Sequence, residues 1–427
     1  MAGEPVRGRG GTLGGGQIMR SVGADVRCPI RVLEVDLSSP LTAIAARVDG
    51  RTYRGAHVLV RRHGRPLGLV RIDFEDRDVP ADAVADLLRR ELGDAIVDGA
   101  EPPQPSDADA APPVSVIVPT HDRPELLRGC LDSVLAGDYR GDCEVIVVDN
   151  APELPATAAL VRERYREDPR VRVLPELRPG VGYARAAGLD AAGGELVVFV
   201  DDDVLVDPAW LTAIAGAFDV ADRVAAVTTL ILPCELETMA QLWLEQFGGF
   251  AKGFRRRVFD LEEHRSADAL YPYSPGIYGS GASMAFRTQV LRELGSFDRR
   301  LTFGGEDLDL FLRVVLGGYR LVYEPNAIAW HHHPGEYASL RRTMFAYGAG
   351  LTALMTKWAV TDPAVARDIV RRLPAALRLA LDPGSRKNAD KLADFPRELT
   401  RIERAGMLAG PFLLARSTQR ARAQDAG

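Results

Sequence analysis

Nine residues, Glu195–Asp203 (Glu-Leu-Val-Val-Phe-Val-Asp-Asp-Asp), constrain this chain more than any other stretch. A short run rich in Val and Phe, bounded by Gly193-Gly194, reads as a strand buried in a parallel sheet. Three consecutive carboxylates cannot stay unpaired on such a strand, so they emerge at its C-terminal end. In an open α/β sheet that end is where ligands bind. Like charges held together repel unless a cation lies among them, and Mg2+ or Mn2+ takes oxygen ligands. The competing reading is a solvated acidic turn that caps the next helix.

The flanking sequence alternates in the same way. Val114–Val118 is apolar apart from Ser115 and is broken by Pro119-Thr120. A helix opens near Pro124, with Leu126, Leu127, Cys130, Leu131, Val134 and Leu135 on one face. Val145–Val148 is a second strand ending in Asp149-Asn150; a helix near Thr157–Tyr165 leads to a third, Val171–Leu174. Then come the loop Arg178-Pro179-Gly180-Val181-Gly182, an Ala-rich helix and the acidic strand. This spacing is that of βαβ units, so an α/β, doubly wound, mostly parallel sheet is expected, with the polar strand ends on one rim. Gly180-Val181-Gly182 is no dinucleotide fingerprint, because position 185 is Arg and the loop follows the third strand. Arg185, on a helix that begins beside glycines, suits a diphosphate equally well.

The 427 residues are enough for one large or two to three ordinary domains, and 46% hydrophobic with 26% charged content belongs to a globular chain with a full core. A net charge of -6 gives no sign of a nucleic-acid partner. Cys28, Cys130, Cys143 and Cys234 show no CxxC pairing, which suits buried thiols in a reducing cytoplasm. Residues 1–27 read as a disordered tail, and Met1–Gly16, with Gly and Arg, has no apolar signal-peptide core. Residues 28–98 read as a small α+β domain of unassigned role. In it His57–Val60 and Leu67–Ile72 flank the turn His63-Gly64-Arg65-Pro66, and a helix from about Pro80 carries Val84, Leu87, Leu88 and Leu92. The basic run Arg61-Arg62-His63 reads as a solvated hairpin tip rather than a contact to a phosphate or an acidic partner. Residues 99–113 form a Pro/Ala/Asp-rich linker, 114–335 the main domain and 336–427 a helical C-terminal region. No apolar run reaches the roughly 18–20 residues of a spanning helix. Ala405–Leu414, among Arg401, Arg404, Arg416 and Arg420, either lies on an anionic lipid surface or packs back onto the main domain.

Five ordered signals together resemble the family 2 inverting glycosyltransferases of the GT-A nucleotide-sugar fold. They are Val-Ile-Val-Pro-Thr at 116–120, Val-Val-Asp-Asn at 147–150, the Gly180–Gly188 segment, Asp201-Asp202-Asp203, and Gly-Gly-Glu-Asp at 304–307. The resemblance implies a metal-dependent hexosyl-type transferase using a nucleoside diphosphate-sugar, UDP or dTDP favoured, and an acceptor hydroxyl on a glycan or glycolipid of the cell envelope. It implies that Pro119, Thr120 and Arg123 lie at the donor, and that Asp149 accepts a hydrogen bond from the base. Arg185 then approaches the diphosphate. Asp201 faces ribose and metal, Asp203 ligates Mn2+ or Mg2+, and Asp202, between them, points elsewhere at the donor site. Gly281, in Tyr278–Arg287, lies under sugar and acceptor; Asp307 is the general base, Glu306 orients the acceptor, and Asp309 is a helix-surface residue. After the strand Tyr323–Trp330, His331 completes the metal shell, with His333 as its substitute.

Two rivals use the same α/β framework. A sugar-nucleotide nucleotidyltransferase needs a Gly-rich basic loop after the first strand, where this chain has Pro119-Thr120-His121-Asp122-Arg123. A non-catalytic nucleotide-sugar-binding scaffold has no use for the Glu306-Asp307 pair. The expected location is the cytoplasm, with peripheral contact at the inner face of the plasma membrane through the C-terminal helices.

Overall fold

The computed structural model describes residues 27–93, 111–382, 384–385, 387–388, 391 and 394–425. The expected N-terminal tail, save residue 27, and most of the expected linker lie outside the described residues.

The first unit contains β1 (Ile30–Asp36), β2 (Arg47–Val48), β3 (Arg51–Thr52), β4 (Gly55–Arg62), β5 (Arg65–Asp73) and α1 (Ala81–Leu92). β4 and β5 form an antiparallel hairpin whose two turn residues, His63 and Gly64, both have positive φ (50° and 76°). That backbone twist matches the twist of paired strands. β1 adds in parallel to β4. β4 is buried along nearly all its length because α1 covers one face and the main domain the other. Arg61 is therefore no solvated tip: it is buried, 2.6 Å from Asp207 of the main domain and 2.6 Å from Glu34. The Ile30 N–H also donates to the Leu236 carbonyl at 2.8 Å.

The main domain runs through β6 (Val114–Thr120), α2 (Pro124–Leu135), β7 (Cys143–Asp149), α3 (Ala156–Arg164), β8 (Val171–Pro175), α4 (Val181–Ala191), β9 (Leu196–Val200), β10 (Val204–Val206), α5 (Trp210–Ala217) and β11 (Val224–Pro233). It continues through α6 (Met239–Gln246), β12 (Arg257–Phe259), β13 (Ser283–Arg287), α7 (Thr288–Glu293), α8 (Glu306–Leu316) and β14 (Arg320–His331). The nine-stranded sheet has the order β10-β14-β11-β13-β9-β6-β7-β8, with β12 also on β14. Six strands run one way; β10, β12 and β13 oppose them. Val116, Val118, Val198 and Val200 face Leu127, Leu131, Trp210 and Ile214, while Ile117, Val197 and Phe199 face Ala184, Leu189, Leu310 and Phe311. With both faces covered, the strands need no polar alternation, and each buried Val or Phe side chain contributes about 1.5–3 kcal/mol. The chain leaves β6 for β7 on one side and returns to β9 on the other, so the crevice opens beyond the ends of β6 and β9.

The C-terminal region comprises α9 (Tyr337–Thr361), α10 (Pro363–Leu381) and α11 (Arg397–Asp425). α9 and α11 cross closely enough that a Cβ on Gly348 would lie 2.0 Å from the Glu403 carbonyl oxygen. Among the described residues no helix is long and apolar enough to cross a membrane.

Candidate active site

Three strand ends build the rim. Thr120 closes β6, Asp149 lies opposite it at the end of β7, and Asp201 follows β9. Pro119 is buried one position behind the rim, paired with Val148. Asp149 is buried, its Oδ1 accepts the Ala151 N–H at 3.1 Å, and burial pushes its carboxyl pKa up. Its neighbour Asn150 has a part that the sequence reading missed. Oδ1 accepts the Gly180 N–H at 2.8 Å, and Nδ2 donates to the Glu176 and Arg178 carbonyls at 2.9 and 2.8 Å. Asn150 thus holds the loop that launches α4.

The three aspartates point three ways. Asp202 is buried and turns back to β6, accepting from Thr120 Oγ1 at 2.7 Å and from Arg123 Nη1 at 3.3 Å. Burial pushes its carboxyl up to about 6. Asp201 Oδ1 accepts from Arg185 Nη2 at 2.7 Å. Asp203 Oδ2 accepts from Arg123 Nη1 at 3.2 Å, while its Oδ1 is buried with no hydrogen-bond partner, 3.5 Å from His331 Nε2. Burial and then the charge of Asp201 raise the Asp203 carboxyl to about 6.

His331 reaches that place because β10 pairs antiparallel with the end of β14, with Val204 opposite His331. The backbone beside it is locked too, since the His332 N–H donates to the Asp203 carbonyl at 2.9 Å. Burial drives the His331 imidazole down to about 3, so the ring is neutral. A neutral imidazole beside an orphaned buried carboxylate oxygen is a donor set that fits Mn2+ or Mg2+. His333, the expected substitute, turns away and meets Glu245. Among the described residues, one group of three places its ligand atoms within 4.8 Å of one another: Cys234, Glu235 and His332. Two of its members are already paired, with His332 Nδ1 2.7 Å from Glu235 Oε2, and Glu235 Oε1 accepts from Gln241 Nε2 at 2.8 Å.

The second acidic pair opens α8. Asp307 Oδ1 accepts the Leu308 N–H at 2.8 Å and Oδ2 the Gly281 N–H at 2.7 Å. A Cβ on residue 281 would sit 2.7 Å from that same Oδ2, so only glycine lets the turn before β13 approach the carboxylate this closely. Glu306 Oε1 accepts from Arg185 Nη1 at 2.8 Å, and its Oε2 is buried without a partner. Burial, then Asp307, push the Glu306 carboxyl up to about 7; burial raises Asp307 as well.

Arg185 joins the two groups. The residue is 3% exposed, and its guanidinium lies 5.8 Å from the Phe297 ring centroid and binds Asp201, Glu306 and the Gly281 carbonyl, the last at 3.1 Å. Acids 105 positions apart in sequence thus converge on one cation. The side chain expected to approach a diphosphate is therefore committed to carboxylates, and Arg123, half exposed beside Asp202 and Asp203, is the arginine at the open rim.

The expectation for Asp309 is overturned. It is fully buried, and its Oδ1 accepts from Lys357 Nζ at 2.6 Å and Trp358 Nε1 at 3.0 Å, while Arg313 pairs with Oδ2 at 2.8 Å. α9 covers that side of α8, which a reading of α8 alone cannot anticipate.

Residues 115–294 match Glycosyl transferase family 2. The chain is 30% identical over 235 residues to the O-antigen biosynthesis protein RfbC of Myxococcus xanthus, covering 54% of this chain and 18% of that one. It is 30% identical over 279 residues to the pre-mycofactocin glycosyltransferase of Mycobacterium tuberculosis, covering 65% and 54%. The chain thus spans between about a fifth and about half the length of these curated relatives. A mannosyltransferase from Pyrobaculum calidifontis, solved with GDP-Man and Mn2+, superposes with a TM-score of 0.46 at 22% identity, covering 77% of this chain and 85% of that one. The strand ends at Thr120, Asp149 and Asp201 and the aspartates 201–203 all lie within residues 115–294, the segment that matches the family 2 glycosyltransferases, while the Glu306-Asp307 pair follows that segment.

Proposed function

We propose that this chain transfers a sugar from a nucleoside diphosphate-sugar to an acceptor hydroxyl, with inversion at the anomeric carbon. The observation that carries this reading is the shared Arg185, which holds Asp201 of the first acidic group and Glu306 of the second around one point. In this reading Asp149 accepts from the imide N–H of a uracil- or thymine-type base, which favours UDP or dTDP donors. Pro119 and Thr120 line the nucleotide, and Arg123 faces the diphosphate. Asp203 and His331, with Asp201 near them, hold Mn2+ or Mg2+. When bound, the ion offsets the charge that develops on the departing diphosphate. Asp307 takes the proton of the acceptor hydroxyl as its oxygen attacks the anomeric carbon. Its two backbone donors keep the carboxylate aimed while leaving lone pairs for that proton. Glu306 and Gly281 shape the acceptor side.

The test is a donor-turnover screen of UDP-, dTDP- and GDP-sugars with Mn2+, Mg2+ or EDTA. Turnover that needs the ion and falls by about 10²-fold or more in Asp203→Asn is the expected result. Undiminished turnover in EDTA contradicts the metal assignment. Donor binding without any turnover supports the scaffold, and pyrophosphate release from a nucleoside triphosphate supports the nucleotidyltransferase.

The acceptor is proposed to be a cell-envelope glycan or glycolipid, met at the cytoplasmic face of the membrane. α10 exposes Val370, Leu373, Leu377 and Leu381 on one stripe, and α11 exposes Leu408 and Phe412. Arg404 Nη2 lies 3.3 Å from the Ala380 carbonyl, which sets the two helices side by side. Apolar residues among Arg371, Arg378, Arg401 and Arg416 suit an anionic bilayer surface. Co-sedimentation with phosphatidylglycerol vesicles is expected, and Leu408→Ser with Phe412→Ser should reduce it several-fold. Binding unchanged by the double substitution assigns the contact elsewhere.

A further inference from the structure

We infer that Tyr347 and Phe303 form the platform that receives the acceptor, and that the accepting unit is a sugar ring laid face-on against them beside Asp307. This rests on the proposed sugar transfer with Asp307 as its base.

Among the described residues the most exposed Phe, Tyr and Trp side chains are Phe303 at 40%, Tyr347 at 38% and Phe412 at 78%. Phe412 belongs to the apolar surface of α11. The other two flank the turn that launches the Glu306-Asp307 pair. Phe303 immediately precedes Gly304-Gly305, whose φ values of 90° and 94° turn the chain into α8. α9 presses directly on that turn. A Cβ on Gly350 would lie 2.6 Å from the Gly304 carbonyl oxygen and 3.1 Å from that of Phe303. Tyr347 stands one helical turn before Gly350, on the same face of α9. One close backbone contact thus fixes both aromatic residues next to the first turn of α8.

Tyr347 is open to a ligand but held in place. Phe247 stacks on its ring, with centroids 6.1 Å apart and an interplanar angle of 28°. Among the described residues its hydroxyl has no hydrogen-bond partner. Burial, then the charges of Asp307, Glu245 and Asp203, push the phenol up, so the hydroxyl end faces the acidic crevice.

A sugar ring has an apolar C–H face with hydroxyls around its edge. A packed aromatic ring takes such a face, and an unused phenol beside it takes an edge hydroxyl. A ring seated there presents a second edge hydroxyl to Asp307, which general-base removal of its proton requires. A lipid phosphate offers no such face to stack.

The test uses the full chain with the nucleotide-sugar it turns over, and reads nucleotide release above the water rate. The probes are octyl glycosides of hexoses, N-acetylhexosamines and 6-deoxyhexoses, with farnesyl phosphate as the lipid-phosphate arm. At least one glycoside should accelerate release. Tyr347→Leu should raise the KM of that glycoside about tenfold, while kcat changes less. Tyr347→Phe keeps the ring and should raise it less, and Phe303→Leu should raise it as well. Calorimetric titration of the donor nucleotide shows that each variant is folded. An accepted glycoside whose KM is the same in Tyr347→Leu and Phe303→Leu as in the native chain overturns the platform. So does acceptance of farnesyl phosphate alone, or of no probe, while donor hydrolysis proceeds; the transferase reading survives those results. A native chain that neither hydrolyses nor transfers any donor fails that reading itself, and the platform falls with it.

Discussion

Asp307→Asn is expected to lower sugar transfer by about 10²–10⁴-fold while donor affinity stays within about twofold. The substitution removes the one group proposed to accept the acceptor's proton, but leaves Asp203, His331 and Arg123 in place. It has a structural side effect that the measurement must separate. Both Asp307 oxygens accept backbone N–H groups, from Leu308 and Gly281. An asparagine turns one of those acceptors into a donor, so one N–H loses its partner, at about 1–3 kcal/mol if buried. Calorimetric titration of the donor nucleotide therefore belongs beside the rate measurement. Loss of transfer with intact donor binding is the expected pair of results. Normal transfer by the variant would remove Asp307 from the role of base.

Arg185→Met is expected to damage both stability and turnover, at a cost of about 3–5 kcal/mol in unfolding free energy. Methionine fills much of the volume against Phe297 but leaves Asp201, Glu306 and the Gly281 carbonyl without their shared donor. The loss should depend on pH with a definite sign. Glu306 is pushed up to about 7, mainly by burial and then by Asp307, from an ordinary 4.5. The folded chain thus holds a proton at Glu306 that the unfolded chain has released between about pH 4.5 and pH 7. Stability from this group is present below 4.5 and is lost as pH rises through 7. Arg185 opposes that shift, so its removal pushes Glu306 higher and makes the total loss larger. Urea unfolding at pH 5 and pH 8 should show the larger Arg185→Met penalty at pH 8. An equal penalty at both values would mean that the guanidinium does not restrain the Glu306 charge.

Much of the framework was legible in the residues. Val114–Val118, Val145–Val148 and Leu196–Val200 are too apolar for one-sided strands, and the helices between them lie at crossover length, so a covered parallel sheet followed. Asp149 and Asp201–Asp203 had to end strands because their charge cannot stay inside. The pairing of β10 with β14 was not legible, since three residues, Val204–Val206, carry too weak a pattern to announce a strand. Yet that pairing, with Val204 opposite His331, brings His331 to Asp203.

By itself the sequence determined the α/β class, the run of strands and helices, and which residue types reach the rim, because hydrophobic period and charge act locally along the chain. Tertiary structure alone decided the partners. It turned Arg185 inward to join Asp201 and Glu306, buried Arg61 against Asp207 and Asp309 beneath Lys357, and aligned Glu245, His333 and His331 behind Asp203. Each of these contacts joins segments brought together only by packing, except the step from His331 to His333. A charged side chain chooses its partner by distance and dielectric once the water is gone, and sequence position carries neither.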